Sequence, residues 1–135
     1  MRAFIIELEN RPGTLADLCE AIGAANINVS GLAGASRHAG GAVALITSND
    51  AGMRALLEAR HADYREAPVV SATLDDRPGT LGEAARRLGD SGVNVEAIIP
   101  TGVRGLRVSV AFAVDDEPRG RQALADLAQR ATSSI

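Results

Sequence analysis

The hexapeptide Asn-Arg-Pro-Gly-Thr-Leu at residues 10–15 returns 66 positions later as Asp-Arg-Pro-Gly-Thr-Leu at residues 76–81. The flanking residues return with the same offset: Leu8 with Leu74, and Ile27-Asn28-Val29 with Val93-Asn94-Val95. Self-similarity over such a span indicates one structural unit that is encoded twice. We therefore predict two domains, residues 1–67 and 68–135.

Composition narrows the class of protein. Apolar residues make up 46% of the 135-residue chain, which favours a globular fold, and the formal charge is −3. An acidic, aromatic-poor chain lacks the basic surface and stacking platforms of nucleic-acid binders, so we expect no nucleic-acid partner. No apolar run is long enough to cross a bilayer, and Glu7 interrupts the first apolar stretch too early for a secretory signal.

Cysteine and histidine usage argues against disulfides and metals. Cys19 is the single cysteine and cannot form an internal disulfide, so a reducing cytoplasm is expected. It falls on an apolar helical stripe, where a packing role is favoured over nucleophilic chemistry. His38 and His61 have no partners at ligand spacing. We expect neither a metal nor a cofactor.

The first half is predicted as strand, helix, strand, strand, helix, strand. Residues 3–9 alternate as in a strand, and Pro12 is expected at the first position of the following helix. That helix carries an apolar stripe formed by Leu15, Leu18, Cys19 and Ile22. The remaining predictions are strands at 27–33, 42–47 and 61–67, a polar loop at 36–41, and a helix capped by Asp50.

The second half repeats this order as far as its last helix. Its predicted elements are strands at 69–74, 93–99 and 106–114, a turn at 101–105, a helix with Leu81, Ala84, Ala85 and Leu88, and a helix with Leu124, Leu127, Ala128 and Ala131 that Asp116 or Glu117 begins. Only residues 132–135 follow, so the last strand is expected to be short or missing. The prediction is an α+β fold of two ferredoxin-like βαββαβ units in tandem, antiparallel sheets with helices on one face.

The hexapeptide between strand and helix, with Ile/Val-Asn-Val at the next strand, resembles the ACT domain, a regulatory amino-acid-binding module of biosynthetic enzymes. The resemblance occurs once in each half and implies a free-standing tandem ACT protein. It further implies that an amino acid binds between adjacent units, at the first loop and at an asparagine that begins the second strand. The implied ligand-binding residues are Asn10, Gly13, Thr14, Leu15 and Asn28, with Asp76, Gly79, Thr80, Leu81 and Asn94 in the second half.

The residue types suit such a ligand. The N–H groups that begin a helix attract a carboxylate, and a glycine allows close approach of the backbone. Asn10 offers both a donor and an acceptor, whereas the Asp76 carboxylate would repel a ligand carboxylate and attract an ammonium group. The alternative is that these side chains only cap helices or form turns. Thr14 and Thr80 are expected to satisfy groups at the helix start.

Three functions remain open. The first is a sensor that binds an amino acid and acts on amino-acid metabolism through a partner enzyme or through its own oligomeric state, with a homodimer expected. The second is an interaction module, or a small regulatory subunit of a biosynthetic enzyme, that binds no ligand. The third, an enzyme, has no constellation of catalytic residues to support it, so we expect no catalytic activity.

Overall fold

The computed structural model of the chain describes residues 1–127. The chain divides into two units: unit 1 spans Met1–Glu66, and unit 2 begins at Ala67. Three predictions fall outside the described residues: the helical positions Ala128 and Ala131, and the short or missing strand at residues 132–135.

Unit 1 contains two helices and an antiparallel sheet. Its elements are β1 (Arg2–Glu9), α1 (Thr14–Ala24), β2 (Val29–Arg37), β3 (Gly40–Thr47), α2 (Asp50–Ala59) and the first residues of β4 (Tyr64–Asp75). The strand order is β2-β3-β1, with Val43 opposite both Ile6 and Gly34. The Glu7 N–H donates to the Asp63 carbonyl at 2.9 Å, which places the start of β4 beside β1.

The core of unit 1 lies between one face of this sheet and the two helices. Alternate residues of β1 and β3 point to that face because strand side chains alternate with period two. The core residues are Phe4, Ile6, Leu18, Ile22, Ile27, Val43, Leu45, Met53 and Leu57. Both helices therefore pack on the same face, as the predicted fold requires.

Unit 2 repeats the arrangement. Its elements are the rest of β4, α3 (Thr80–Asp90), β5 (Val95–Arg104), β6 (Arg107–Val114) and α4 (Glu117–Ala123), with the strand order β4-β6-β5. Its core residues are Val70, Ala72, Leu74, Ala84, Leu88, Val93, Val110, Phe112, Val114, Leu124 and Leu127. The predicted tandem ferredoxin-like α+β fold is confirmed.

The two β-hairpins are tighter than the sequence predicted. The predicted loop at 36–41 is mostly strand, since only His38 and Ala39 form the turn, and the predicted turn at 101–105 shrinks to Gly105 and Leu106. His38 and Gly105 occupy the same left-handed conformation, with φ of 56° and 57°. Ladder hydrogen bonds along each hairpin overrode the low strand propensity of the glycine-rich stretches.

One strand replaces two predicted ones. The sequence predicted strands at 61–67 and 69–74, whereas β4 runs without interruption over Tyr64–Asp75. Pro68 lies between the two predicted strands. Proline lacks one ladder donor, but its fixed φ is compatible with extended backbone, so it did not end the strand.

The helix starts also differ in part from prediction. Gly13 is the N-cap of α1, so Pro12 lies before the helix and not at its first position. The N-cap of α2 is Asn49, whose side chain accepts from the Gly52 N–H at 2.9 Å, and not Asp50. The prediction for α4 is confirmed, because Asp116 caps it by accepting from the Arg119 N–H at 3.1 Å.

The apolar stripe of α1 is narrower than predicted. Leu18 and Ile22 are buried, but Leu15 and Cys19 are exposed. Of the four predicted stripe residues, only Leu18 and Ile22 therefore contact the core. The packing role predicted for Cys19 is wrong. The same holds in α3, where Ala84 and Leu88 are buried and Leu81 is exposed.

A charged cluster joins three elements of unit 1. Arg54 of α2 donates to Glu66 through Nε and Nη2, each at 2.7 Å, and Arg2 of β1 donates through Nε at 2.9 Å. The Arg54 hydrogen bonds, with a smaller contribution from Arg2, lower the pKa of Glu66 against the opposing effect of its partial burial. Glu66 is therefore ionised at neutral pH and holds α2 against the sheet.

Candidate functional site

The loop between β1 and α1 is closed by its own glycine and threonine. Gly13 adopts φ 94° and ψ −18°, a left-handed conformation that only glycine enters without strain. The Thr14 hydroxyl donates to the Glu9 carbonyl at 2.8 Å and lies 3.1 Å from the Arg11 carbonyl. The hydroxyl therefore closes the loop and satisfies carbonyls that precede the helix, instead of the helix-start N–H groups.

The loop between β4 and α3 has the same backbone. Gly79 adopts φ 95° and ψ −16°. The Thr80 hydroxyl donates to the Asp75 carbonyl at 2.7 Å and lies 3.2 Å from the Arg77 carbonyl. The shared hexapeptide thus encodes one loop geometry in both units.

Asn10 connects the loop to the neighbouring hairpin. Its side-chain Nδ2 donates to the His38 carbonyl at 3.1 Å, and its backbone N–H donates to the Ala39 carbonyl at 2.7 Å. No described residue donates to its Oδ1, which leaves a neutral acceptor at the loop. The capping interpretation is wrong for this side chain, because α1 is capped by Gly13 without a side-chain hydrogen bond.

Asp76 occupies the matching position but makes only part of this connection. Its backbone N–H donates to the Leu106 carbonyl at 2.7 Å, as Asn10 does to Ala39. A carboxylate has no N–H to donate, so the side-chain bond to the hairpin is missing. The capping interpretation also fails for Asp76, because Gly79 caps α3 without a side-chain hydrogen bond.

A cavity of about 380 Å³ adjoins the first loop. It lies over the helix-covered face of the sheet, where β2 and β3 contribute Leu32, Gly34, Gly41 and Val43. Of the predicted site residues, Asn10, Thr14 and Leu15 line it, and Gly13 shapes its loop. Its size falls near the lower end of small-molecule sites, which span roughly 300–1,000 Å³.

The second loop adjoins a smaller cavity of about 230 Å³. The predicted residues Asp76, Gly79, Thr80 and Leu81 line it, together with residues of β4 and β6. The backbone registers explain the difference in size. Gly34 pairs with Val43 in unit 1, and at the same register position in unit 2 Pro100 pairs with Val110. Gly41 pairs with Leu8, the leucine before the first loop, and Val108 pairs with Leu74, the leucine before the second loop. Val108 therefore takes the place of Gly41 in unit 2.

The predicted asparagines of the second strands lie elsewhere. Asn28 lines neither cavity, and its backbone N–H donates to Ser48 Oγ at 3.0 Å. Asn94 is also absent from both linings. Its backbone N–H donates to Asp115 Oδ1 at 2.9 Å and its Nδ2 to Glu96 Oε1 at 3.2 Å. Asn28 thus links the start of β2 to the end of β3 by a hydrogen bond, and Asn94 links the start of β5 to the end of β6 in the same way.

Sequence reasoning missed the walls that β2 and β3 supply. Leu32, Gly34, Gly41 and Val43 line the first cavity, but the stretch around them was predicted to include a loop. The available signal was the abundance of small residues on both sides of Arg37 and His38, from Ala33 to Ser36 and from Ala39 to Ala42, which leaves one face of a hairpin without bulk. The charged side chains at the rim, Glu9 and Arg11, pair with each other at 2.7 Å.

The described part of the chain holds no group of three or more His, Cys, Asp or Glu side chains that could bind a metal ion. Among residues 1–127, no helix has both the length and the apolar character needed to cross a membrane.

The family model of the ACT domain matches residues 3–63. This range covers nearly all of unit 1, including the first loop and its cavity. No curated protein matches the sequence of the chain.

Several solved structures share the fold. A protein from Bacteroides thetaiotaomicron is 23% identical with a TM-score of 0.76, over 93% of this chain and 86% of its own. The regulatory subunit of aspartate kinase from Thermus thermophilus is 15% identical with a TM-score of 0.67, and the match covers 93% of this chain and 91% of that subunit. The corresponding subunit from Thermus flavus is also 15% identical with a TM-score of 0.67, and the match covers 93% of this chain and 90% of that subunit. At such identities the likeness establishes the fold alone.

Proposed function

We propose that this chain, whose residues 3–63 match the family model of the ACT domain, binds a free α-amino acid at the first loop and acts as a regulatory sensor. The observation that carries the proposal is the cavity beside Asn10 and the start of α1. The second loop has the same backbone, but its cavity is smaller and Asp76 takes the place of Asn10 in the lining. Unit 1 is therefore the binding unit.

The two charged groups of an α-amino acid have matching positions at the first loop. The first N–H groups of a helix have no intrahelical acceptor and carry partial positive charge, which suits the ligand carboxylate. The Asn10 Oδ1 is an acceptor for the ligand ammonium, and the bond from Nδ2 to His38 fixes its direction. A helix-start contact contributes only about 0.3–2 kcal/mol, so modest affinity is expected.

The edge strand β2 favours a homodimer as the form that carries the signal. Beyond the irregularity between Val29 and Gly31, β2 pairs regularly with β3 up to Arg37, and this stretch contains no proline. In unit 2, β5 contains Pro100 and a register shift beside it. Unprotected regular edges can pair with another chain, whereas prolines and bulges discourage such pairing.

A regulatory output completes the proposal. Two proteins of the same fold are regulatory subunits of aspartate kinase, which supports a partner enzyme in amino-acid metabolism for this chain as well. Binding of the amino acid would then change the partner's activity or the oligomeric state, and this chain would have no catalytic role of its own. A cytoplasmic location accords with this role.

Isothermal titration calorimetry of the full chain with each proteinogenic amino acid tests the sensor. Heat of binding for at least one amino acid at millimolar concentration is expected, together with a rise in melting temperature. Sedimentation with and without that amino acid then tests the homodimer. Absence of binding by every amino acid contradicts the sensor.

A second candidate is an interaction module that binds no ligand. It is favoured by the tip of the β5–β6 hairpin, where Val103 is 71% exposed and Leu106 is 83% exposed. Large apolar side chains exposed together mark protein contacts. Co-purification with a stoichiometric enzyme that is lost in the double substitution Val103→Ser, Leu106→Ser, without any effect of amino acids, would favour this candidate.

A further inference from the structure

The walls of the first cavity point to the chemical class of its ligand. We propose that unit 1 selects an amino acid with an uncharged aliphatic side chain, and this inference rests on the proposed function. The ligand main chain would occupy the polar loop, at Asn10 and the start of α1. Its side chain would lie over the strands, where the lining is apolar.

The apolar wall follows from the alternation of the strands. Leu8, Leu32 and Val43 lie on the helix-covered face of the sheet, and Leu15 closes the cavity from α1. Leu15 and Leu32 are 44% and 47% exposed, so a ligand side chain can still remove apolar surface from water at both. Burial of apolar surface is favourable in proportion to its area.

Charged ligand side chains have no partner over the strands. The charged side chains that line the cavity are Glu9, at the end of β1, and Arg11 in the loop that follows. They bind each other at 2.7 Å, and the hydrogen bond to Glu9 raises the pKa of Arg11. A ligand carboxylate or ammonium group among the leucines would lose water without gaining a counter-charge.

Two glycines give the ligand side chain its room. A Cβ on Gly34 would lie 3.0 Å from Val43 Cγ1, and a Cβ on Gly41 would lie 2.8 Å from the Ala35 carbonyl oxygen. Any side chain at these two positions would crowd the neighbouring strand, so β2 and β3 can lie this close beside the cavity only because both residues are glycine. In unit 2 the corresponding positions are Pro100 and Val108, and the Val108 side chain lines the smaller cavity there.

Calorimetry with two groups of amino acids tests the ligand class on the full chain. The aliphatic group is Leu, Ile, Val and Met, and the charged group is Asp, Glu, Lys and Arg. We expect the tightest binder to be aliphatic and each charged amino acid to bind at least about tenfold more weakly, because an unpaired charge is costly to bury.

Matched substitutions test the location. Leu32→Lys places a charge in the wall and should weaken aliphatic binding about fivefold or more. Ile98→Lys is the control, since Ile98 is 44% exposed and holds the same register position in unit 2. Leu15→Lys and Leu81→Lys form a second pair on the helices. Circular dichroism and urea unfolding confirm that each variant folds.

Each outcome decides the inference. Aliphatic selectivity that Leu32→Lys or Leu15→Lys weakens, and that both unit 2 controls leave intact, supports it. Charged amino acids that bind as tightly as aliphatic ones overturn the ligand class and leave the proposed function standing. Equal weakening by the unit 2 controls overturns the location. Absence of binding by any amino acid overturns both the inference and the proposed function.

Discussion

The first and second loops have the same backbone and different surroundings. The φ angles of Gly13 and Gly79 differ by one degree, 94° against 95°, and each threonine hydroxyl donates to the carbonyl five residues before it. Yet one loop has an amide that binds the neighbouring hairpin and the other has a carboxylate that cannot. The adjacent cavities measure about 380 and 230 Å³.

The difference shows that loop conformation and binding capacity have separate origins. The repeated hexapeptide determines the turn, because its glycine and threonine supply the left-handed residue and the loop-closing hydroxyl. The space for a ligand depends on β2 and β3, whose residues Gly34 and Gly41 have no small counterparts in unit 2. Conservation of the turn alone would therefore not predict binding.

Substitution of the loop glycines should have the largest effect. Gly13→Ala and Gly79→Ala are each expected to lower the free energy of unfolding by about 1–3 kcal/mol, because alanine is strained at these φ values. A Cβ at either position would have no atom within 4 Å, so crowding adds nothing. Urea unfolding measures both losses, and calorimetry should show that Gly13→Ala alone weakens amino-acid binding.

A clear difference between the two glycine variants in their loss of unfolding free energy would contradict the likeness of the two loops. If Gly79→Ala left stability unchanged while Gly13→Ala lowered it, the two loops could not share one strained conformation. If both abolished amino-acid binding equally, binding would not belong to unit 1 alone.

The exchange of amide and carboxylate is the next test. Asn10→Asp should weaken amino-acid binding about fivefold, because a carboxylate cannot donate to the His38 carbonyl and the acceptor for the ligand ammonium group is then no longer held in place. Asp76→Asn is the matched variant, and it should not create a second site, since Val108 still narrows that cavity. Titration stoichiometry decides the matter, and two sites in Asp76→Asn would contradict the role given to Gly34 and Gly41.

The charged cluster of unit 1 should have a smaller effect, confined to stability. Glu66→Gln removes the charge that Arg54 and Arg2 bind and should cost about 1 kcal/mol, because both arginines are partly exposed and screened. Glu20→Gln, at an exposed site on α1, is the control. Thermal unfolding compares the two, and equal melting temperatures would show that the cluster contributes nothing.

The same cluster predicts the direction of a pH effect. The pKa of Glu66 is lowered below its ordinary value of 4.5, so the folded state binds its proton less readily than the unfolded chain. The stabilisation is complete above that ordinary value and disappears as the pH falls through the folded value. Glu66→Gln should therefore lose stability less steeply with acid than the native chain, as unfolding at a series of acidic pH values would reveal.

The loop threonines should give the smallest effect and the closest agreement between units. Thr14→Val and Thr80→Val each remove one hydroxyl donor, which should cost about 0.5–1 kcal/mol. The two losses are expected to be equal within error because the hydrogen bonds have nearly equal lengths. A difference of more than about twofold between them would mean that the loops differ in rigidity as well as in surroundings.

Most of the fold could be predicted from the repeat, because element order follows from local periodicity. The hairpins could not, since His38 adopts a left-handed conformation that is unusual for a residue with a side chain. The continuous strand β4 was missed because the predicted boundary between the domains, at residues 67 and 68, lies inside it. Helix caps differed by one residue where Asn49 and Asp50 were both suitable.

The candidate site was predictable only where the motif itself forms it. Asn10, Thr14 and Leu15 lie at the first cavity because the hexapeptide determines their positions. Leu32 and Gly41 were missed because cavity walls depend on strand register, which no local pattern specifies. Asn28 was included through the family resemblance, yet its backbone fastens two strands within unit 1. Whether any of these residues binds a ligand stays a prediction.

The exposure of Cys19 on α1 has a practical consequence. It is the single thiol of the chain, so a maleimide dye attaches at one known position without mutagenesis. The dye would sit on the helix whose first turn borders the Asn10 cavity, where its emission can follow ligand arrival. In air, two molecules can also become joined through this thiol, so sedimentation requires a reductant to distinguish a covalent pair from a natural one.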